Sequence, residues 1–354
     1  MRSIYLNDDL EKLAQYLNSE GFGSSKFLIT GATGLIGSLC LKAIIEHNKK
    51  YDAPINVTAL VRSEEKVKSI FADELDDIGH IENVSFIYQD ISEPIADSVD
   101  CEYIIHTANS TTSKFFMTNP VEVIESIYMG TKRILDFGVR KKVKGIVYLS
   151  SMEVFGKVDS YERIEEKQLG YIDIQNIRSC YSEGKRLAEL LCKCYASEYN
   201  LPVRTARLAQ TFGAGVPKNE NRVFAQFARS AINGEDIVLH TKGESVGNYC
   251  YTKDVISALL LLLKRGKSGE AYTVVNEETT RTIAEMAKMV ADKFSGGKSK
   301  VVFDIPKDNL YGYAPETKMR LSASKLSALG WIATVNLEEM YRRMLPDLEE
   351  KDET

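Results

Sequence analysis

The 354-residue sequence contains no long hydrophobic run: its longest apolar stretch, Val255 to Leu263, is broken by Ser257 and falls far short of a membrane span. The opening residues Met1 to Leu13 carry acids where a secretory leader needs an apolar segment, so a cytoplasmic protein is expected. Excess positive charge is also missing. A formal net charge of −5 excludes a general attraction to nucleic acid or anionic membranes, and the basic run Arg140, Lys141, Lys142 and Lys144 reads as a favourable helix end. The 6 cysteines are scattered. Cys192 and Cys194 lie two apart in one helical pattern and point to different faces, so neither a disulfide nor a zinc clamp is expected, and no metal. Internal repeats and low-complexity segments are absent. With 44% hydrophobic and 27% charged residues, what is left is an ordinary soluble globular chain, long enough for a large core.

Alternation is what the sequence does have. An amphipathic opening with Leu10, Leu13 and Leu17 at helical spacing leads through a glycine-serine linker into a short apolar strand, Phe27 to Thr30. Strand-like runs recur at Ile55–Val61, Val84–Tyr88, Tyr103–His106, Gly145–Leu149 and Val203–Arg207, with helical stretches at Leu35–Asn48, Glu64–Phe71, Val121–Arg140 and Tyr181–Tyr199. Continuous apolar strands alternating with helices imply a parallel sheet covered on both faces: a doubly wound α/β (Rossmann) fold. Past Gly213 the pattern loosens into loops, with a helix at Asp254–Lys264, a strand at Tyr272–Val275 and helices near the C-terminus. The expected organisation is an N-terminal helix and linker (1–24), a dinucleotide-binding domain (25–210, also taking in 250–276) and a smaller C-terminal substrate lobe (211–249 and 277–354).

Three constellations fall in this frame. Gly31-Ala32-Thr33-Gly34-Leu35-Ile36-Gly37 directly follows the first strand, where glycines permit a sharp turn and close approach of a diphosphate to helix N-terminal amides. The second strand ends without the acid that holds ribose hydroxyls in NAD sites and offers Arg62 instead, a partner for a 2′-phosphate; NAD(P) is expected, with NADP favoured slightly. Asp90 and Ile91 after the third strand and Thr107 and Ala108 after the fourth are further cofactor contacts, whereas His106 reads as a satisfied core histidine.

Ser151 and Glu153 follow the fifth strand, and Tyr181 and Lys185 lie one helical turn apart. All four are expected at the carboxyl edge of the sheet, where such folds place ligands. A phenol has an unperturbed pKa of about 10, so a nearby ammonium and a positive nicotinamide are needed to make it a base. Tyr181 takes the acid/base role, Lys185 the tuning and ribose-binding role, and Ser151 the positioning role.

Together these residues resemble the extended short-chain dehydrogenase/reductase family, in its nucleotide-sugar epimerase/dehydratase branch. The resemblance runs in order from the glycine turn through Tyr103–Asn109, Leu149–Gly156, Cys180–Glu189, Arg207–Val216 and Tyr249–Val255. It implies oxidation of a sugar hydroxyl, usually at C4, onto a tightly held nicotinamide, and a homodimer formed through the helices Val121–Arg140 and Tyr181–Tyr199. Glu153 matches the position of a glutamate acting at C5, while Met152 stands where dehydratases carry the acid that expels the C6 hydroxyl. The stretch Cys180–Arg186, with Arg178 just before it as a substrate contact, is similar to UDP-glucuronate decarboxylases. Gln210 replaces an asparagine facing the diphosphate, and Gly247 replaces an arginine; Arg222, Lys318 and Arg320 are the candidate substitutes. Decarboxylation, dehydration and epimerisation stay open, as do a net NADPH-dependent carbonyl reductase and a non-catalytic NAD(P) sensor on the same fold.

Overall fold

Successive strand residues point to opposite faces, so a strand buried along its length needs cover on both sides. The strand Lys26–Thr30 (β1) meets that condition from Phe27 onward: Phe27 and Ile29 join one hydrophobic core and Leu28 the other. This computed structural model describes residues 2–109, 112–158, 160, 162–306 and 318–349. Asn56–Val61 (β2), Val84–Tyr88 (β3), Tyr103–His106 (β4), Gly145–Ser151 (β5) and Val203–Leu208 (β6) follow, and a last strand, Ala271–Val274, completes the main sheet. Its spatial order is Ala271–Val274, β6, β5, β4, β1, β2, β3, every pair parallel. The expected α/β doubly wound sheet is therefore present.

Helices Leu35–Lys50 and Thr252–Arg265 cover one face, with the N-terminal helix Ile4–Ser19 packed over them through Leu6, Leu10, Leu13 and Leu17. Pro120–Lys141 and Ser179–Glu198 lie side by side on the other. Asp9 of the first helix is buried; it accepts a hydrogen bond from the Tyr251 hydroxyl and one from Arg343 Nη1 at 3.2 Å. Burial pushes its carboxyl up to about 6, against the pull of Tyr251 and Arg343.

Beyond Gly213 more regular structure forms than the sequence suggests. Val223–Asn233 is a helix that buries Phe224, Phe227, Ala228 and Ala231. Phe224 stacks on Phe212 at 4.4 Å, and Tyr341 of the helix Leu337–Leu348 meets Phe212 edge-on at 5.1 Å. A three-stranded sheet places Val246–Tyr251 between Gln210–Phe212 and Asn276–Thr282, and Ile237–Leu239 pairs with Val301–Phe303. The regular alternation ends there because these elements are short and pack on a shared aromatic cluster rather than on a sheet face.

Candidate active site

Strand order reverses between β1 and β4, so the loops that leave their carboxyl ends diverge and open a crevice. Gly31 has φ +67°, and a Cβ there would lie 2.8 Å from Ala108 Cα and from Thr107 Oγ1. Glycine is required on both counts. Gly34 caps the helix Leu35–Lys50 without any side-chain hydrogen bond, which leaves the first-turn amides to a ligand. Leu35, Ile36 and Gly37 form that first turn; Ile36 is buried in the core and Gly37 packs on the Gly31 carbonyl.

The crevice is a cleft of about 870 Å³ lined by Gly31, Thr33, Gly34, Arg62, Asp90, Ile91, Thr107 and Ala108, so the structure brings most of the expected cofactor contacts together. Asp90 accepts hydrogen bonds from Ser92 N at 2.9 Å and Ser92 Oγ at 2.7 Å, which hold its carboxyl below the usual range. Thr107 donates to the Thr30 carbonyl at 2.7 Å. Two wall residues were not anticipated. Lys66 lies one turn beyond Arg62 on the Ser63-capped helix Glu64–Ile70, a spacing visible in the sequence. Asn109, adjoining Thr107 and Ala108, has both amide atoms buried without a hydrogen-bond partner among the described residues, as expected of a group awaiting a bound molecule. Cleft size, glycine turn, free amides and orphaned Asn109 all fit a dinucleotide.

His106 is a core residue: Nδ1 meets Thr30 Oγ1 at 2.7 Å, Nε2 meets Thr131 Oγ1 at 3.4 Å, and burial pulls its pKa down to about 3. It stays neutral.

Across the cleft wall, Ile127 packs on Gly184 of the helix Ser179–Glu198, where a Cβ would sit 3.1 Å from Ile127 Cδ1. That helix carries Tyr181 and Lys185 on its buried face. Tyr181 stacks on Phe116 with centroids 4.4 Å apart. Lys185 donates to the Leu149 carbonyl at 2.6 Å and lies 4.7 Å over the Tyr148 ring and 5.8 Å from the Tyr181 ring. Burial pulls its pKa down to about 7, opposed by Glu189 one turn further on. Ser151 ends β5, and its Oγ accepts the Glu153 amide at 3.2 Å within the turn Met152–Phe155.

The phenol departs from expectation. Burial first and the Glu153 charge second push the Tyr181 pKa up; a Ser151 hydrogen bond and the charges of Arg178 and Arg222 oppose them. The Lys185 ammonium lies 5.8 Å from the Tyr181 ring and donates to the Leu149 carbonyl.

Glu153 is held from both sides. Arg178 Nη1 donates to Oε2 at 2.6 Å and Nη2 to Oε1 at 2.9 Å, and Ser182 Oγ donates to Oε2 at 3.3 Å. Arg178 is thus committed to a protein carboxylate. Arg222 pairs with Glu220 at 2.7 Å, stacks over Phe224 and keeps its charge toward Tyr181. Gln210 opens the strand that leaves the carboxyl edge after β6. Lys318 and Arg320 are exposed, and the charge of Arg320 acts on Glu285 of the helix Ile283–Phe294. Met152 packs against the core. At Gly247 a Cβ would meet Tyr249 Cζ at 2.5 Å, so the Tyr249 ring fills the room a longer side chain would need. Among the described residues no cluster of His, Cys, Asp and Glu could hold a metal, and no helix is long and apolar enough to cross a membrane.

Comparison with known proteins agrees with this geometry. UDP-glucuronic acid decarboxylase 3 of Arabidopsis thaliana is 29% identical over 316 residues, covering 89% of this chain and 86% of its own. UDP-glucuronic acid decarboxylase 1 of Xenopus tropicalis is 29% identical over 317 residues, covering 89% and 70%. Among solved structures, the UDP-glucose 4-epimerase of Thermotoga maritima with UDP-glucose superposes with a TM-score of 0.74 at 21% identity, covering 91% of this chain and 98% of that one. The UDP-glucuronic acid 4-epimerase of Bacillus cereus, in complex with UDP-glucuronic acid and NAD, gives 0.73 at 20% identity with the same coverage. The family model for the NAD dependent epimerase/dehydratase family matches residues 27–276, from the first strand to the last of the main sheet, and the chain is an enzyme belonging to that family.

Proposed function

We propose that the enzyme decarboxylates a nucleoside-diphosphate uronate, most simply UDP-glucuronate, by oxidising C4, releasing carbon dioxide from C5 and restoring the C4 hydroxyl. The observation that carries this reading is the gathering of Ser151, Glu153 and Tyr181 beside the dinucleotide cleft, with a methionine, Met152, packed against the core between Ser151 and Glu153. Loss of water from C6 needs a proton donor that methionine lacks; loss of carbon dioxide needs none. The decarboxylase relatives support the same choice.

Gly31, Thr33 and the first-turn amides after Gly34 would hold the diphosphate of the dinucleotide, and Asp90, Thr107 and Asn109 line the cleft that would receive it. When bound, the nicotinamide would supply a hydride acceptor for the C4 hydrogen and a positive charge that favours the phenolate. Tyr181 takes the C4 hydroxyl proton while Ser151 shares the hydrogen bond, and Lys185 would hold the ribose of the bound cofactor. With C4 a carbonyl, the C5–carboxylate bond breaks and its electron pair moves into that carbonyl as an enolate. Tyr181 and Ser151 stabilise the enolate oxygen by hydrogen bonding. C5 then takes a proton from water, and Tyr181 returns its proton to the C4 oxygen as the sugar is reduced.

Arg62 and Lys66 on the cleft wall favour a 2′-phosphate, hence NADP over NAD. Arg62→Ala is expected to weaken NADP binding about tenfold, roughly 1.4 kcal/mol, and leave NAD within about twofold, read by calorimetry. Equal losses for both cofactors would remove Arg62 from this role. Exposed Val121 and Ile124 on one helix and Leu187 and Leu190 on its neighbour support a homodimer through Pro120–Lys141 and Ser179–Glu198. Incubation with NAD or NADP and a panel of UDP-, GDP-, CDP- and dTDP-sugars tests the activity. Carbon dioxide and a nucleotide pentose, with no net cofactor consumption, are expected from a uronate; stoichiometric NADPH loss with a simple carbonyl would instead identify a reductase.

A further inference from the structure

Glu153 and Arg178 lie 25 positions apart, yet their side chains form a two-point ion pair at 2.6 and 2.9 Å. A carboxylate offers about four acceptor positions. Oε2 uses both of its own, for Arg178 Nη1 and Ser182 Oγ, while Oε1 takes only Arg178 Nη2. One acceptor direction on Oε1 therefore receives no hydrogen bond from any described residue. The guanidinium is itself fixed: it lies 5.7 Å over the Phe116 ring, whose other neighbour is Tyr181 at 4.4 Å, and the Arg178 amide donates to Asn176 Oδ1 at 3.0 Å. Arg178 also opens the helix that carries Tyr181.

The geometry points to Arg178 as the positioning residue of the second chemical step: it aims the open side of Glu153 Oε1 at a sugar hydroxyl and does not grip the substrate's diphosphate. This rests on the proposed reading of the site as one that acts at C5 of a nucleotide sugar. A fork of two parallel N–H donors fixes the plane of a carboxylate as well as its distance, which a lysine cannot do. With three donors already on the carboxylate, Glu153 is arranged to accept a hydrogen bond from substrate and hold the ring, not to pull a proton from carbon. Tyr181, Ser151 and Glu153 then share one frame, since Ser151 Oγ also accepts the Glu153 amide.

Three measurements on Arg178→Met and Arg178→Lys decide the matter. Crystal structures of both variants and the wild type, without sugar, are expected to show Glu153 leaving its position in Arg178→Met and tilting in Arg178→Lys. In single turnovers with UDP-glucuronate, carbon dioxide release is expected to slow about a hundredfold in Arg178→Met and about tenfold in Arg178→Lys, far more than the preceding cofactor reduction. The UDP dissociation constant should stay within about twofold, because no phosphate contact is lost. An unmoved Glu153 together with a UDP affinity weakened tenfold or more would overturn the proposal and return Arg178 to the diphosphate. If the wild type turns over no nucleotide sugar, the functional reading fails, while the position of Glu153 in the crystals still decides whether Arg178 holds it.

Discussion

Two charged groups project from the same helix end into the same site, and the protein treats them oppositely. Lys185 is buried against the Leu149 carbonyl and aromatic faces, and burial has pulled its pKa to about 7 against the opposing charge of Glu189. Arg178, two turns earlier, is about a third exposed and pinned to Glu153 by two hydrogen bonds, which raise its own pKa further. An unpaired buried ammonium keeps its protonation equilibrium near neutrality and available for change, whereas a paired ion is fixed in charge and place. The first end suits proton movement between Tyr181 and the sugar; the second suits holding the sugar still.

The largest effect should come from the buried end. Tyr181→Phe is expected to slow cofactor reduction by about a hundredfold to ten-thousandfold while leaving the cofactor bound, measured as reduced-nicotinamide absorbance in a single turnover. Reduction at the wild-type rate would dissolve the contrast, since the phenol would then have no proton to move.

Lys185 sharpens it next. Its folded pKa of about 7 lies below the ordinary lysine value of about 10.4, so the unfolded chain binds more protons between those limits. The stability penalty is complete below about pH 7 and fades as pH rises toward 10.4. Urea unfolding should therefore show the wild type gaining about 2–4 kcal/mol relative to Lys185→Met between pH 7 and pH 10. A pH-independent difference would mean that the ammonium is solvated.

The paired end should give the smallest effect on stability. A double-mutant cycle on Glu153 and Arg178 is expected to return a coupling of about 1 kcal/mol or less, because both side chains stay about a third exposed. A coupling of several kcal/mol would make the pair a structural brace instead of a positioning device.

The sheet was largely legible because its strands are continuous apolar runs and its helices carry a clear period. β5 extends past Leu149 to Ser151, and the helix Pro120–Lys141 begins one residue before Val121. Tyr181 and Lys185 were legible because four residues on a helix are neighbours in space. The glycine turn was legible because Gly31 needs a positive φ. What escaped depends on contacts between distant positions. The Phe116 stack on Tyr181 and the Arg178 fork on Glu153 have no sequence period. Lys185 seeking the Leu149 carbonyl, which leaves Tyr181 to burial, is decided by competition within the core, and so is the Tyr249 ring over Gly247.

The central claim is that oxidation at C4 precedes and enables loss of carbon dioxide, with the cofactor regenerated in the same cycle. Rapid mixing of the enzyme, carrying stoichiometric oxidised cofactor, with UDP-glucuronate tests it most directly, by following reduced-nicotinamide absorbance and carbon dioxide together. The account predicts a rise in absorbance, carbon dioxide release while it is high, and a return to baseline as a nucleotide pentose appears. Carbon dioxide released with no absorbance transient, or an absorbance rise that never returns, would contradict it.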